Sequence, residues 1–220
     1  MIEAVLFDLD GTVANTNDLI YESFKRMFKE KMNLEVPDEV IYGFFGEPLQ
    51  YSLSKYADDT KELMAEFRAF NESNHDQMIK SFDGVKEALE MLKNLNIKLG
   101  IVTSKREHMA KRSLGVLGLL DYFDVIVTPE CTKEHKPNAE PLLKACELLG
   151  GIDPKNTLMV GDSAFDIMCG NNAGATSVAV SYTVIDPLVI KEAEPDYYID
   201  DLRELIELVN ELNEKSTKAV

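Results

Sequence analysis

The sequence predicts an α/β fold, a three-layer sandwich with a central parallel sheet and a small α-helical domain inserted near its beginning. Three observations support this prediction. Short apolar runs recur along the chain and stop at polar residues or glycine, as buried parallel strands do. A helix-like stretch separates each run from the next, which indicates right-handed βαβ crossovers. Residues 16–80 interrupt this alternation, because they show helical periodicity without a convincing strand.

The core elements follow one another from the first strand, which is predicted over residues 4–7. Further strands are predicted over residues 99–102, 125–127, 158–160 and 178–180. Helices are predicted over residues 85–95, 108–117, 141–149, 165–172 and about 202–212, with fraying from residue 214. Since alternating strands and helices build one layered sheet, residues 1–15 and 81–220 are expected to form the core domain.

Residues 16–80 are predicted to form a helical cap domain inserted after the first strand. Apolar residues recur there at helical spacing, as in the stretch from Leu19 to Phe28. Prolines and glycines such as Pro37 and Gly43 separate the predicted helices. Short linkers near residues 16–17 and 81–84 suit a hinge that closes this domain over the core.

The composition limits the partners of the chain. Its 220 residues include 23 Lys plus Arg and 39 Asp plus Glu, for a formal net charge of −16, which opposes binding to nucleic acid or anionic membranes. No apolar run approaches the roughly 20 residues that span a bilayer, and Met1-Ile2-Glu3 does not resemble a secretory signal. The 3 cysteines are too scattered for a disulfide framework or a zinc site. We therefore expect a soluble cytoplasmic protein, monomeric by default, that must bind any anionic ligand against its own net charge.

Two carboxylates follow the first predicted strand. Asp8 and Asp10 come at its carboxyl end, where open α/β sheets bind ligands. Residues two apart on a strand point to the same side, so these carboxylates would repel each other unless a hard cation such as Mg²⁺ neutralised them. Gly11 permits a tight turn, and Thr12 can help to seat the chain there. An acidic turn that caps a helix is the alternative interpretation.

The next two segments carry a hydroxyl group and a cation. Thr103-Ser104-Lys105 ends the second predicted core strand, and its hydroxyl and backbone amides suit a phosphate oxygen, although a helix cap is the alternative. Lys136 precedes Pro137 at a helix entrance, where a cation opposes the helix dipole, so capping does not explain it. Lys136 can be a cation that reaches a phosphate and a nucleophile, or a solvated surface lysine.

A second acid pair follows the fourth predicted core strand. Asp162 lies at the strand end, and Asp166 lies about one helical turn further on, so both can support one site. Helix capping explains one of these acids well and two of them less well. The acid pair, hydroxyl, lysine and second acid pair occur in order at the ends of successive elements. Their combination favours one ligand site over four unrelated features.

Together these segments resemble the motifs of the haloacid dehalogenase (HAD) superfamily of phosphohydrolases. The resemblance covers almost the whole chain, and residues 16–80 match the helical C1-type cap of that family. The matching segments are Phe7-Asp8-Leu9-Asp10-Gly11-Thr12, Ile101-Val102-Thr103-Ser104, Lys136-Pro137 and Gly161-Asp162-Ser163 with Asp166. The resemblance implies a Rossmann-like core and Mg²⁺-dependent hydrolysis of small soluble phosphates.

The resemblance also implies a role for each acid. Asp8 would be the nucleophile that forms an aspartyl-phosphate, and Asp10 would be the general acid and base. Mg²⁺ would be held by Asp8, the backbone carbonyl of Asp10 and Asp162. Asp166 would support the ion directly or through water.

The same resemblance implies the groups that contact the substrate. Thr103 would bind phosphoryl oxygens together with backbone amides, and Lys136 would balance the negative charge that develops. Further substrate contacts are expected from Gly11, Thr12, Ser104, Lys105 and Glu47.

Substrate choice is expected to depend on the cap loop at residues 43–49. Its Gly-x-Pro-Leu segment resembles the branch of phosphoglycolate phosphatases and HAD-type pyrophosphatases, and other stretches are most similar to the pyrophosphatase members. Glu47 departs from the neutral residue that is usual there. An unpaired carboxylate would repel an anionic leaving group, whereas a carboxylate that points to solvent would have no effect on it.

The resemblance narrows the reaction but leaves alternatives open. Members that cleave carbon–halogen bonds lack the equivalent of Asp10, and Ile20 stands where sugar-phosphate mutases carry a cap histidine. Pyrophosphate leads narrowly over phosphoglycolate and over other small phosphomonoesters, such as sugar or nucleotide phosphates. A phosphotransferase or mutase is the alternative enzyme, and a non-catalytic binding module is the alternative outside enzymes.

Overall fold

The computed structural model describes residues 1–218 and has a six-stranded parallel sheet at its centre. The strands are β1 (Ala4–Phe7), β2 (Ala14–Asn15), β3 (Lys80–Ser81), β4 (Lys98–Val102), β5 (Val125–Val127), β6 (Thr157–Gly161), β7 (Thr176–Val180) and β8 (Tyr197–Ile199). The sheet has the strand order β5-β4-β1-β6-β7-β8, while β2 and β3 form a separate antiparallel pair. Helices pack on the sheet, so the predicted α/β three-layer class is confirmed.

The helices alternate with the strands of the core, as predicted. Within residues 1–218 they are α1 (Asn17–Met32), α2 (Asp38–Tyr42), α3 (Leu49–Ser54), α4 (Lys61–Met78), α5 (Val85–Asn94), α6 (Glu107–Val116), α7 (Glu140–Leu148), α8 (Ala164–Ala173), α9 (Pro187–Glu192) and α10 (Leu205–Lys218). In this part of the chain, no helix is both long and apolar enough to cross a bilayer. Cys131, Cys146 and Cys169 are free thiols in the structure.

The sequence prediction was wrong at the end of the last helix. Helix α10 continues to Lys218, where fraying was expected from residue 214. The hydroxyl groups of Ser216 and Thr217 donate to the carbonyl oxygens four residues earlier, and Lys215 pairs with Glu211 at the same spacing. These local contacts stabilise the polar last turns of a helix. Strand β8 was not predicted, because its three residues are only partly apolar and lie at the sheet edge.

Helices α1 to α4 form one continuous insert between β2 and β3. Ala14 pairs with Ser81 and Asn15 pairs with Lys80, so the entry to the insert and the exit from it form one short ribbon. The interior of the insert is aromatic, with the ring of Phe24 stacked on Phe28 and tilted against Phe67. The division into a core of residues 1–15 and 81–220 and a cap of residues 16–80 stays a prediction, with its boundaries at this ribbon.

The order of the strands explains why ligand-binding residues can meet at β1. The chain continues from β1 to β4 on one side and later returns to β6 on the other side. A point where the strand order diverges leaves a crevice at the carboxyl ends of the strands. All four residues of β1 are buried, so its carboxyl end is fixed at the centre of this edge.

Candidate active site

The carboxyl ends of β1, β4 and β6 carry the predicted site residues. The backbone amide of Asp8 donates to the carbonyl of Val160 at 2.8 Å, and the amide of Thr103 donates to the carbonyl of Val127 at 3.0 Å. These bonds extend the strand pairing past the strand ends and fix the direction of both side chains. Asp162 follows β6 directly, so the segments that contain Asp8, Thr103 and Asp162 meet at one edge of the sheet.

Lys136 joins two of the predicted acids inside the protein. Its Nζ atom lies 2.6 Å from Oδ1 of Asp8 and 2.6 Å from Oδ1 of Asp166, and all three side chains are buried. The other oxygen of Asp166 accepts from the backbone amide of Ser163 at 3.1 Å and from its hydroxyl at 2.6 Å. Asp166 therefore caps α8 and holds Lys136 against Asp8, so Lys136 is not a solvated surface lysine.

Three carboxylates form a group that could hold a metal ion. Asp8, Asp162 and Asp166 each offer an oxygen within 4.8 Å of the others. Burial, together with the neighbouring Asp166, raises the pKa of Asp162 well above its usual value. Burial also raises the pKa of Asp8 to about 7, although Lys136 opposes the shift. A buried, oxygen-only donor set with one lysine for three acids fits a hard divalent cation such as Mg²⁺.

The carboxylate of Asp10 lies outside this group. It accepts from Nζ of Lys105 at 2.7 and 3.0 Å and from the hydroxyl of Thr16 at 2.8 Å, with 20% of the side chain exposed. The expectation that strand pleating aligns Asp8 with Asp10 was wrong, because β1 ends at Phe7 and Asp10 lies in the following turn. The two acids nevertheless line the same cavity.

The turn after β1 packs closely on Asp162. Gly11 has a φ of +84°, and a Cβ atom there would lie 2.2 Å from Oδ2 of Asp162, so only glycine fits. The buried hydroxyl of Thr12 has no hydrogen-bond partner among residues 1–218. Gly11 and Thr12 do not line the cavity. Their expected contacts with substrate therefore stay predictions, and the observed role of Gly11 is to let the turn approach Asp162.

A cavity of about 180 Å³ separates this edge from the helical insert. The core contributes Asp8, Asp10, Thr103, Ser104, Lys105, Arg106, Met109, Lys136 and Asp162. The insert contributes Ile20, Phe24, Phe44, Phe45, Gly46, Glu47, Leu49, Phe67, Arg68, Asn71 and Glu72. The structure thus brings Thr103, Ser104, Lys105 and Glu47 to the same space as the acids. The buried hydroxyl of Ser104 has no hydrogen-bond partner among the described residues, so it is free to donate to a ligand.

The cap loop closes this cavity. Gly46 has a φ of +81°, and a Cβ atom there would lie 2.4 Å from Cβ of Ser163, so the loop backbone touches the core. Glu47 accepts from Nζ of Lys55 at 2.8 Å with both carboxylate oxygens and from the hydroxyl of Ser52 at 2.7 Å. Its side chain is 12% exposed, so Glu47 does not simply point to solvent. The paired cation removes much of the expected repulsion toward an anionic leaving group.

Sequence reasoning missed Arg68, which lines the cavity from α4. The residue lies between Phe67 and Phe70, in the region that is predicted from the sequence to form the helical cap, without a ligand contact. Burial, together with Arg106, lowers the pKa of its guanidinium group. The available signal was a cation next in sequence to the aromatic face of Phe67 and Phe70, at the border of the apolar stripe of α4.

Comparisons with known proteins agree with this site. The model of the haloacid dehalogenase-like hydrolase family matches residues 5–180. A Clostridium perfringens protein, named provisionally as a pyrophosphatase PpaX, is 47% identical over 97% of this chain and 100% of its own. Pyrophosphatase PpaX of Bacillus mycoides is 38% identical, over 96% of this chain and 99% of its own.

A solved structure supports the same assignment. A haloacid dehalogenase-like family hydrolase from Streptococcus pneumoniae has a TM-score of 0.83 at 25% identity, covering 94% of this chain and 98% of that one. The predicted enzyme class, a hydrolase of phosphate esters or anhydrides, is confirmed by these matches. This chain belongs to the haloacid dehalogenase-like hydrolase family.

Proposed function

We propose that this hydrolase is a Mg²⁺-dependent inorganic pyrophosphatase that reacts through an aspartyl-phosphate on Asp8. One observation carries the proposal: Asp8 contacts Lys136 and lies within ligand distance of Asp162 and Asp166, at the wall of a small cavity. The names of the relatives support pyrophosphate as the substrate. The pairing of Glu47 with Lys55 supports it too, because it neutralises a carboxylate at the cavity wall.

The metal would be held by Asp8 and Asp162, with Asp166 nearby and already bonded to Lys136. When bound, Mg²⁺ would screen the repulsion between the Asp8 carboxylate and the phosphate and stabilise charge on the phosphoryl oxygens. The raised pKa of Asp8 and of Asp162 supports this assignment, since the buried carboxylates lack enough positive charge among the described residues.

In the first step, a carboxylate oxygen of Asp8 forms a bond to phosphorus, and the bond from phosphorus to the bridging oxygen breaks. Asp10, which is protonated before this step, donates its proton to that oxygen as it leaves as phosphate and becomes a carboxylate. Lys136 and the hydroxyl group of Thr103 contact the oxygens of the transferred group, where negative charge accumulates. Lys105 and Thr16 hold the Asp10 carboxylate at the cavity wall.

In the second step, water attacks the phosphorus of the aspartyl-phosphate, and Asp10 accepts its proton. The bond to Asp8 breaks, which releases phosphate and restores the carboxylate. The contact of the cap loop with Ser163 near Gly46 limits the entry of further water during both steps. The net charge of −16 supports a small phosphate over a polyanion as substrate, and the proposal includes a cytoplasmic, monomeric enzyme.

A small organic phosphate, such as phosphoglycolate, is the second candidate. The apolar wall formed by Phe44, Leu49 and Phe67 favours it, because an inorganic diphosphate makes no use of apolar contacts. A phosphotransferase would share the same first step and pass the phosphoryl group to an alcohol instead of water.

The test compares kcat/KM for inorganic diphosphate, phosphoglycolate and p-nitrophenyl phosphate, each with Mg²⁺ and after removal of the metal by EDTA. We expect diphosphate to exceed the carbon esters and EDTA to abolish turnover. A value for diphosphate far below that of a carbon ester rejects the substrate assignment. Product analysis with added glycerol separates hydrolysis from phosphotransfer.

A further inference from the structure

A second cavity of about 220 Å³ adjoins the first. Thr103, Ser104 and Lys136 line both cavities, as do Arg68 and Arg106. The walls of the second cavity contain no Asp or Glu among the described residues, although acids outnumber bases in the whole chain by 39 to 23. Its charged and titratable groups are Arg68, Arg106, Lys136 and His135. The walls of the second cavity therefore carry cationic side chains and no carboxylate among the described residues.

Arg68 differs from the other cations that line the first cavity. Lys105 pairs with Asp10, Arg106 pairs with Glu72, and Lys136 pairs with Asp8 and Asp166. Within residues 1–218, Arg68 has no hydrogen bond and no ion pair within 4 Å, and the carboxylate nearest to it in charge effect, Glu72, already pairs with Arg106. It lies at the junction of the two cavities and is partly buried by the insert.

A partly buried guanidinium group that makes no hydrogen bond is unfavourable, since its N–H donors have lost water without gaining an acceptor. An arginine offers two parallel N–H donors that match the oxygens of a phosphate. Two further donors lie nearby: the buried hydroxyls of Ser104 and Thr132 both lack a hydrogen-bond partner among the described residues, and both line the second cavity. A cation and several hydrogen-bond donors suit an oxyanion. They offer no carboxylate to a cationic group and no charge complement to a neutral one.

We propose that Arg68 and the second cavity form the subsite for the leaving phosphoryl group of an inorganic diphosphate. The inference rests on the proposed function and deepens it. Asp8 and Asp10 act on the transferred phosphoryl group and the bridging oxygen, while Arg68 holds the phosphoryl group that departs. A monoester of an uncharged alcohol has no group for this subsite, so Arg68 discriminates between the two substrate classes.

The experiment uses the full-length Arg68→Gln variant. Because hydrogen bonds to charged groups are strong, kcat/KM for diphosphate is expected to fall by about 10- to 100-fold. The value for p-nitrophenyl phosphate should stay within about twofold, since its leaving group has no phosphoryl oxygens for the arginine to contact. Arg68→Lys, which retains the charge without the paired donors, should give an intermediate loss for diphosphate only.

Arg26→Gln is the matched control. Arg26 is an exposed cap residue on α1 that pairs with Glu30 and does not line either cavity, so its loss removes the same charge at a distance. Both substrates should be hydrolysed by this variant as by the wild type. An equal loss for diphosphate in Arg26→Gln would mean that net charge, not a local subsite, sets the rate.

A binding measurement keeps the inference separate from turnover. Calorimetry with methylenediphosphonate, which resists hydrolysis, should show Kd weakened by about 10- to 100-fold in Arg68→Gln, whereas Kd for phenylphosphonate, which has a single phosphoryl group, should stay within about twofold. Equal losses for both substrates, or unchanged Kd for methylenediphosphonate, would overturn the subsite while leaving a preference for diphosphate intact. If the wild type does not prefer diphosphate, the proposed function fails, and the methylenediphosphonate titration still decides whether the subsite exists.

Discussion

The buried polar groups around Asp8 and those around His75 differ in how far they neutralise one another. The Asp8 cluster, made of Asp8, Lys136, Asp162 and Asp166, contains three acids and one cation. The ring of His75 is also buried, between α4 and α6, but both of its nitrogens have a polar partner at 2.8 Å. A fully bonded polar group stabilises one packing arrangement, whereas surplus buried charge indicates a ligand that completes the site.

Asp8→Asn should produce the largest effect, because the amide keeps the shape of the side chain and removes the nucleophile. We expect hydrolysis of diphosphate to fall by about 10⁴-fold or more. The variant should remain folded. Without metal it should be no less stable than the wild type, because the substitution removes one of the excess negative charges buried in the Asp8 cluster. Initial rates, circular dichroism and thermal midpoints measure this. Residual turnover above about one percent of the wild type would contradict a covalent role for Asp8.

Lys136→Met should have the next largest effect. It removes the cation that Asp8 and Asp166 share and leaves buried carboxylates unpaired. Breaking a buried ion pair from one side costs about 3–5 kcal/mol of unfolding free energy. Urea titration without metal measures the loss. The control is Lys105→Met, whose partner Asp10 is more exposed and should cost far less. Equal losses in the two variants would remove the distinction between these ion pairs.

Mg²⁺ should stabilise the Asp8 cluster and leave the surroundings of His75 unchanged. At about 100 times its Kd, a ligand that binds only the folded state adds roughly 2.7 kcal/mol. The thermal midpoint should rise with Mg²⁺ and fall again with EDTA. Asp162→Asn should weaken this response, while His75→Gln should retain it in full. A Mg²⁺ response that is unchanged in Asp162→Asn would place the ion elsewhere.

His75→Gln should have the smallest effect, about 1–3 kcal/mol of unfolding free energy, with turnover preserved. The groups that face His75 are Asp76, Lys105, Arg112 and Ser113. Burial lowers the pKa of His75, although Asp76 opposes the shift, so the unfolded chain binds a proton more readily than the folded one. The stability that neutral His75 contributes to the fold is fully present above pH 6.5 and decreases as the pH falls below 6.5.

Urea titrations between about pH 5 and pH 7.5 measure that dependence. The wild type should lose more stability than His75→Gln as the pH falls, because glutamine carries no titrating group. Parallel pH profiles would show that protonation of His75 does not contribute. The Asp8 cluster is present in both proteins, so its own titration cancels in the comparison.

The core strands and the motif residues were predictable because both are local patterns. A buried strand such as β1 is a continuous apolar run, and its carboxyl end is the place where a parallel sheet exposes Asp8. Strand β8 and the β2–β3 ribbon were not predicted, because short strands depend on pairing between distant segments. The last turns of α10 depend on hydrogen bonds from side chains to the backbone. Their polar composition alone does not predict these bonds.

The partners of the site residues were the least predictable part. Lys105 was expected to contact the substrate, and the structure pairs it with Asp10 across 95 positions of sequence. Arg68 was missed because its helix has the apolar spacing of a core element. Glu47 was interpreted without Lys55, although the two lie only eight residues apart, since a loop has no fixed period from which a contact can be inferred. Such contacts follow from packing rather than from local pattern.

The approach of Gly46 to Ser163 has a consequence for how the specificity of this enzyme can evolve. At Gly46 it is the loop backbone that approaches the core, and a methyl group there would collide with Ser163. Substitutions at the neighbouring Glu47 or Leu49 can therefore reshape the cavity wall without altering the contact that closes it. Substitutions are therefore restricted at Gly46 and tolerated at its neighbours. The cavity wall can change to fit different small phosphates while the contact that closes the loop is kept.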